Sequence, residues 1–139
     1  MVPSRTGQRG RPSRARFAPP AVLTYLHRVE LVTAWHLKVF RHEIAKEIID
    51  QAWSHVEDHV AAGLWQLPDY DPVDVYSRAE SLSRRYTSIF GARSLDILHV
   101  AAAVVLDASA FVTHDDRQAR LAKAAGLPVI TLRARATRR

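Results

Sequence analysis

The stretch SLDILHVAAAVVLDASAFVTHDD, residues 94–116, decides the fold of this chain. It is mainly apolar, yet Asp96 lies near its start and Asp115 and Asp116 close it. A carboxylate is costly to bury unless it is paired, hydrogen-bonded or bound to a cation. These three acids therefore need partners, and the search for those partners leads towards the function.

The segments that follow predict a βαβ unit. AFVT (110–113) is typical of a buried strand, RQARLAKAA of a helix stopped by Gly126, and PVITL (128–132) of a second strand. Short links between them favour a parallel sheet with a right-handed crossover, so the fold class is α/β. Asp115 and Asp116 follow the first of these strands, at the sheet edge where ligands bind in open α/β folds.

Upstream, the signals alternate between strand and helix. AVLTYL (21–26) favours a strand, and apolar residues spaced by three and four predict one helix from Glu30 to about Trp53. A short helix, SHVEDHVAAG, is expected to end at Gly63, and LWQLP (64–68) to form a short strand.

Two further helices precede the βαβ unit. Asp71 followed by Pro72 is a cap with a first-turn proline, and Val75 and Tyr86 belong to the apolar stripe of the helix that follows. Ser94 is positioned to cap the next helix, which is apolar on nearly every side and should be buried.

Length and composition limit the class of protein. The chain has 139 residues, 47% of them hydrophobic, which suits one globular domain with its own core. It has no apolar run of about 20 residues, so we expect no membrane span. It has no cysteine, which excludes disulfides and thiol chemistry and fits a cytoplasmic location.

The charge is divided unevenly along the chain. Residues 1–20 hold five arginines and no acid, and residues 133–139 hold four arginines. Between them, residues 21–132 hold eleven Lys and Arg against fourteen Asp and Glu, a net charge of −3. We therefore predict a basic disordered tail at 1–20, a domain at 21–132 and a basic tail at 133–139. Such tails either contact nucleic acid or act as solubilising ends.

The acidic residues suggest one shared site. Glu30 lies on the inward stripe of its predicted helix, and Asp96 lies in a first turn, where the helix dipole alone would suit it. With Asp115, three acids therefore lie at the ends of predicted helices or strands within one small domain. Close carboxylates repel unless a cation neutralises them, and oxygen ligands select Mg²⁺ or Mn²⁺.

The residues also resemble a known family. R-x-L-D-x-x-H-x-A (residues 93–101) followed by F-V-T-x-D-x-R-Q (residues 111–118) is similar to the C-terminal half of a PIN domain, most closely of VapC-type toxin ribonucleases. LTYLHRVEL (23–31) resembles that family's second strand and the helix that carries its glutamate, here Glu30. The resemblance spans about residues 21–132.

The resemblance implies a PIN-like three-layer α/β/α fold with a parallel sheet. It implies an endoribonuclease that hydrolyses RNA with a water activated by Mg²⁺ (or Mn²⁺), that is held by a cognate antitoxin and that is often a homodimer. The residues it implies are Glu30, Asp96 and Asp115 as catalytic, metal-binding carboxylates, Asp116 as an adjacent candidate at a variable position, Thr113 as support, and Arg93 and Arg117 near the RNA.

The chain departs from the family at its start. The family begins with a hydrophobic strand ending in an aspartate, then two helices, and that segment has no counterpart here, so the sequence reads as an N-terminally truncated PIN domain with three of four carboxylates. Two hypotheses follow: a metal-dependent ribonuclease, or a catalytically impaired remnant that binds nucleic acid or an antitoxin. His99, one turn after Asp96, either contacts substrate or forms a hydrogen bond in the core.

Overall fold

The computed structural model describes residues 19–132. Helices and short strands alternate along this range, and none of these helices is long and apolar enough to cross a membrane. The elements are β1 (Ala21–Val22), α1 (Tyr25–Phe40), α2 (Glu47–Ala61), β2 (Trp65–Gln66), α3 (Pro72–Phe90), α4 (Ser94–Val105), β3 (Phe111–Thr113), α5 (Asp116–Ala124) and β4 (Val129–Thr131). The predicted basic tails fall almost wholly outside the described residues.

The strands pair in parallel, and the α/β class is confirmed. β1 lies beside β2 with Ala21 opposite Trp65, and β3 lies beside β4 with Phe111 opposite Val129. The segment β3–α5–β4 is the βαβ unit that the sequence predicts. Within residues 19–132 the strands form two separate pairs, so each strand has a neighbour on one side only.

The main core lies where α3, α4 and α5 meet. Val100, Ala101, Leu121 and Ala122 have no exposed surface, and Val75, Ala79 and Leu82 of α3 pack with them. The Tyr86 hydroxyl adds a bond between helices by donating to the carbonyl oxygen of Ala124 at 3.2 Å. The apolar helix α4 is buried in part, as predicted: Ile97, Val100, Ala101 and Ala102 are buried, whereas Leu95 is 50% exposed.

Two helix starts illustrate what local sequence can predict. Asp71 caps α3 by accepting a hydrogen bond from the Val73 N–H at 2.9 Å, and Pro72 is the first helical residue, as expected. The prediction for α4 is wrong by one residue: Arg93 is the cap and Ser94 begins the helix. Asp96, the third helical residue, accepts from the Arg93 N–H at 3.1 Å, which is the half of a capping box that the N3 side chain supplies.

The single helix predicted from Glu30 to about Trp53 is wrong, because the chain breaks it into α1 and α2. At the end of α1, His42 adopts a left-handed conformation with φ of 59°, and the Glu43 N–H donates to the Lys38 carbonyl at 2.9 Å. This is the bonding pattern of a Schellman helix end, which usually carries glycine. The apolar spacing continues through the break, so periodicity alone misses it.

The helices α1 and α2 contact each other through a few side chains. Trp35 and Trp53 meet edge to face with ring centres 6.0 Å apart, and the Arg28 guanidinium lies 4.7 Å from the Trp53 ring centre. Within residues 19–132, α1 contributes no buried residue, whereas α2 buries Ile49 and Val56. α1 is therefore held by contacts of partly exposed side chains rather than by a buried apolar face.

Candidate functional site

A hydrogen bond between two distant parts of the chain places Glu30 beside α4. The His99 Nε2 lies 2.5 Å from the Glu30 Oε1, and the two residues are separated by 69 positions in sequence. The His99 side chain is 11% exposed and that of Glu30 is 43% exposed. Since Asp96 lies one turn before His99, this contact brings the Glu30 carboxylate to the helix that carries Asp96.

Asp96 is anchored at the start of α4. One of its oxygens, Oδ2, accepts the Arg93 N–H, which satisfies one of the free donors at the helix N-terminus. Among residues 19–132, no hydrogen bond reaches its other oxygen. The carboxylate is thus fixed in place with one oxygen left for a ligand.

Asp115 follows β3 and caps α5. Its Oδ1 accepts from the N–H groups of Arg117 at 2.8 Å and Gln118 at 3.1 Å, and its Oδ2 lies 3.8 Å from the Arg117 guanidinium. The Gln118 N–H is the main cause that lowers the pKa of Asp115, aided by the N–H and the charge of Arg117. This carboxylate therefore stabilises the fold at neutral pH, and the contribution is lost as the pH falls through the lowered pKa.

Thr113 fixes the turn that carries Asp115. The Thr113 Oγ1 accepts from the Asp115 N–H at 3.1 Å and donates to the Gln118 Oε1 at 2.6 Å. Thr113 is buried, at the end of β3. The geometry gives it a supporting position, with Gln118 as a partner that the sequence reasoning did not single out.

The remaining predicted residues lie at helix starts. Asp116 is the first residue of α5 and is exposed, and no hydrogen bond or ion pair of its side chain occurs within residues 19–132. Arg93 is the exposed cap of α4, and Arg117 lies beside Asp115. The two arginines thus flank Asp96 and Asp115 respectively.

His27 belongs to the same region and was missed by the sequence reasoning. Its Nδ1 accepts from the N–H of the buried Thr24 at 3.1 Å, and its ring centre lies 4.5 Å from that of His99. His27 is exposed as a residue, but partial desolvation of its ring, added to by the neighbouring His99 and opposed by Glu30, lowers the pKa of His27 to about 4. The sequence signal was T-x-x-H, a capping box with His in the place of Glu or Gln.

The His27 shift predicts a pH dependence of stability. The unfolded chain takes up a proton near the ordinary pKa of 6.5, whereas the folded chain resists it down to about 4. The free energy of unfolding should therefore fall as the pH drops from 6.5 to 4. His27→Gln keeps the cap without titrating and should flatten this slope in denaturant titrations at several pH values. An equal slope in both proteins would contradict the assignment.

The three predicted ligands suit a hard divalent cation in their chemistry. Glu30, Asp96 and Asp115 each use one oxygen in a hydrogen bond that fixes the side chain, and all offer carboxylate oxygen, which Mg²⁺ prefers. Their positions do not form a compact metal site: within residues 19–132, no three His, Asp or Glu side chains gather around a common point. Among the predicted site elements, the fold brings Glu30 into contact with His99 of α4, one turn after Asp96.

Comparison with known proteins assigns the chain to no family. No protein-family model, curated protein or solved structure matches the chain. The resemblance to PIN domains therefore rests on the sequence motifs quoted above.

Proposed function

We propose that this chain is a PIN-type endoribonuclease that hydrolyses RNA in the presence of Mg²⁺ or Mn²⁺, on a PIN-like three-layer α/β/α fold. The observation that carries the proposal is the hydrogen bond from His99 to Glu30, which holds a carboxylate from α1 against the helix of Asp96. This long-range contact joins the two segments that resemble the family.

The residues have separate roles in this proposal. Glu30, Asp96 and Asp115 would hold the cation through the oxygens that their structural hydrogen bonds leave open, and Thr113 fixes the turn of Asp115. A bound Mg²⁺ supplies an activated water and stabilises charge on the phosphate. Arg93 and Arg117 offer guanidinium groups to RNA phosphates on either side of the carboxylates.

A second candidate is a binding module without catalysis, which takes up RNA or an antitoxin through the same surface. The observation that favours it is the absence, within residues 19–132, of three acidic or histidine side chains around one point. In that case Asp96 and Asp115 serve as helix caps and Glu30 as the partner of His99.

Cleavage with controlled metal content distinguishes the two candidates. We expect cleavage of a mixed RNA substrate with Mg²⁺ or Mn²⁺, none with EDTA, and recovery when the ion is added in excess. Calorimetric titration of the metal-free protein should show binding of the same ion. RNA binding that survives EDTA, with no cleavage under either ion, would favour the binding module.

The proposal includes a protein partner in the cytoplasm, either a cognate antitoxin or a second copy of the chain. Support comes from α1, where Val29 is 63% exposed and Phe40 is 80% exposed. Large apolar side chains on a helix without buried residues suit a protein contact.

The basic ends of the chain should contribute to RNA binding. Removal of residues 1–16 and 133–139 takes away arginines while the described domain remains. Each lost phosphate contact reduces counterion release, so we expect weaker RNA binding and a flatter dependence of log Kd on log salt concentration. Fluorescence anisotropy at several salt concentrations measures both. An unchanged salt slope would assign these arginines to solubility.

A further inference from the structure

A groove between α1 and α2 lies apart from the candidate site. It has a volume of about 310 Å³, and its apolar part is formed by Val32 of α1 with Ile49 and Trp53 of α2. Asp50 and Glu57 also line it and are exposed, whereas no lysine or arginine of residues 19–132 lines it. The groove therefore combines an aromatic surface with two carboxylates.

The negative charge of α2 is not balanced by ion pairs within the described chain. Residues 47–61 contain no lysine or arginine and four acids, Glu47, Asp50, Glu57 and Asp58. Among residues 19–132, none of these four carboxylates takes part in an ion pair. Asp50, Trp53 and Glu57 follow one another at spacings of three and four, so they share one face of the helix. This face suits a cation that also packs on an aromatic ring.

The segment 5–16 of the same chain carries the opposite charge. It contains no acid and five arginines, Arg5, Arg9, Arg11, Arg14 and Arg16. A guanidinium group pairs with carboxylates and also stacks on aromatic faces, so arginine combines the two contacts that the groove offers. Trp53 already makes one contact of this kind, because the Arg28 guanidinium lies 4.7 Å from its ring centre.

The segment is attached to the domain near the C-terminal end of α2. Ala21 pairs with Trp65, and the ring centre of Trp65 lies 5.1 Å from that of His59, two residues after Glu57. Seven residues of extended chain, the separation of Ala21 from Arg14, span up to about 23 Å. The arginines can therefore reach the groove from their point of attachment.

The spacing of the charges also matches. Asp50 and Glu57 are seven residues apart on α2, a rise of about 10 Å along the helix axis. Arg11 and Arg14 are three residues apart, which corresponds to about 10 Å in an extended chain. One arginine can thus face each carboxylate, with Arg14 at the end of the groove nearer to the attachment point.

We propose that residues 5–16 dock in the groove between α1 and α2, with arginine side chains on Asp50 and Glu57 and beside the Trp53 ring. A single exposed ion pair contributes little, but several contacts made by a tethered segment act together at a high effective concentration. The groove then competes with other acidic partners for these arginines. Neither the docking nor its test depends on nuclease activity.

The test uses the full chain with a single nitroxide label. The sequence has no cysteine, so Ser13→Cys provides one labelling position among the arginines. A segment docked in at least about half of the molecules should lower the NMR signal heights of the Trp53 indole N–H and the Asp50 and Glu57 amides about twofold. The reference is the same sample after reduction of the nitroxide, and signals of α5 should stay unchanged. Salt at about 1 M, where the screening length is about 3 Å, should restore the heights.

Two double variants decide whether the groove holds the segment. Asp50→Asn with Glu57→Gln removes the two groove charges and should restore the Trp53 signal. Glu80→Gln with Asp107→Asn removes the same charge from exposed positions outside the groove and should leave the broadening in place. An unaffected Trp53 signal in the labelled chain, or equal broadening in both double variants, would overturn the proposal. Broadening in a mixture where only the copies without nitroxide carry ¹⁵N would also overturn it, because the segment would then dock on another copy.

Discussion

Asp96→Asn, Asp115→Asn and Glu30→Gln should each lower Mg²⁺-dependent RNA cleavage by about 100-fold or more, the scale on which one lost electrostatic contact slows an enzyme. The amide variants are chosen because they keep the oxygen that accepts the structural hydrogen bond in each case. The fold should therefore survive, and the loss should report the missing charge. Single-turnover cleavage rates and melting curves, recorded side by side, measure both.

Asp116→Asn is the matched control. It removes the same charge from the residue next to Asp115, yet Asp116 is exposed and makes no side-chain contact within residues 19–132. We expect its cleavage rate to change by less than about threefold, in keeping with a screened surface charge. A large loss at Asp116 with none at Asp115 would show that the assignment of the two aspartates is reversed.

Leu121→Ala should have the largest effect on stability. Leu121 is fully buried where α5 meets α3 and α4, and a truncation there leaves a cavity among close-packed side chains. The expected loss is about 2–5 kcal/mol in the free energy of unfolding. Because a small domain has only about 5–15 kcal/mol in total, this variant should be close to unfolding at ambient temperature.

Leu64→Ala supplies the comparison for Leu121. Leu64 is 58% exposed, and alanine retains its two backbone hydrogen bonds, one to the His59 carbonyl and one from the Ala21 N–H. The same chemical truncation should therefore change the free energy of unfolding by less than about 0.5 kcal/mol. Urea titrations of both variants measure the difference. Similar losses in the free energy of unfolding at the two positions would mean that the α3–α4–α5 core does not supply most of the stability.

The C-terminal half was largely predictable because its signals are local. Asp71 and Pro72 mark the start of α3, Gly91 and Gly126 end helices in left-handed conformations, and both strands of the βαβ unit are short apolar runs. Each of these signals acts within a few residues of the position it determines. The one-residue error at α4 arose because the helix begins at Ser94 itself, with the Arg93 N–H held by Asp96 from the third helical position.

The N-terminal half was harder to predict, because the ends of its first helix are set by residues that rarely occupy such positions. Thr24 begins α1 earlier than the strand-like run AVLTYL suggests, with His27 completing the cap. His42 ends α1 in a left-handed conformation that glycine adopts most readily and histidine only uncommonly. The candidate site shows the same division: the positions of Asp96 and Asp115 followed from their elements, whereas the contact of Glu30 with His99 depends on how α1 lies against α4.

The lack of buried residues on α1, within the described range, also determines the order in which parts of the molecule unfold. Backbone amides of a helix without a buried face exchange hydrogen through local opening, whereas amides around Val100 exchange only when the whole core unfolds. The free energy that protects Glu30 is thus smaller than the free energy that protects Asp96. A protease that cuts the opened α1 should remove one side of the candidate site before the α3–α4–α5 core unfolds, so loss of the contact between Glu30 and His99 and global denaturation are separable events.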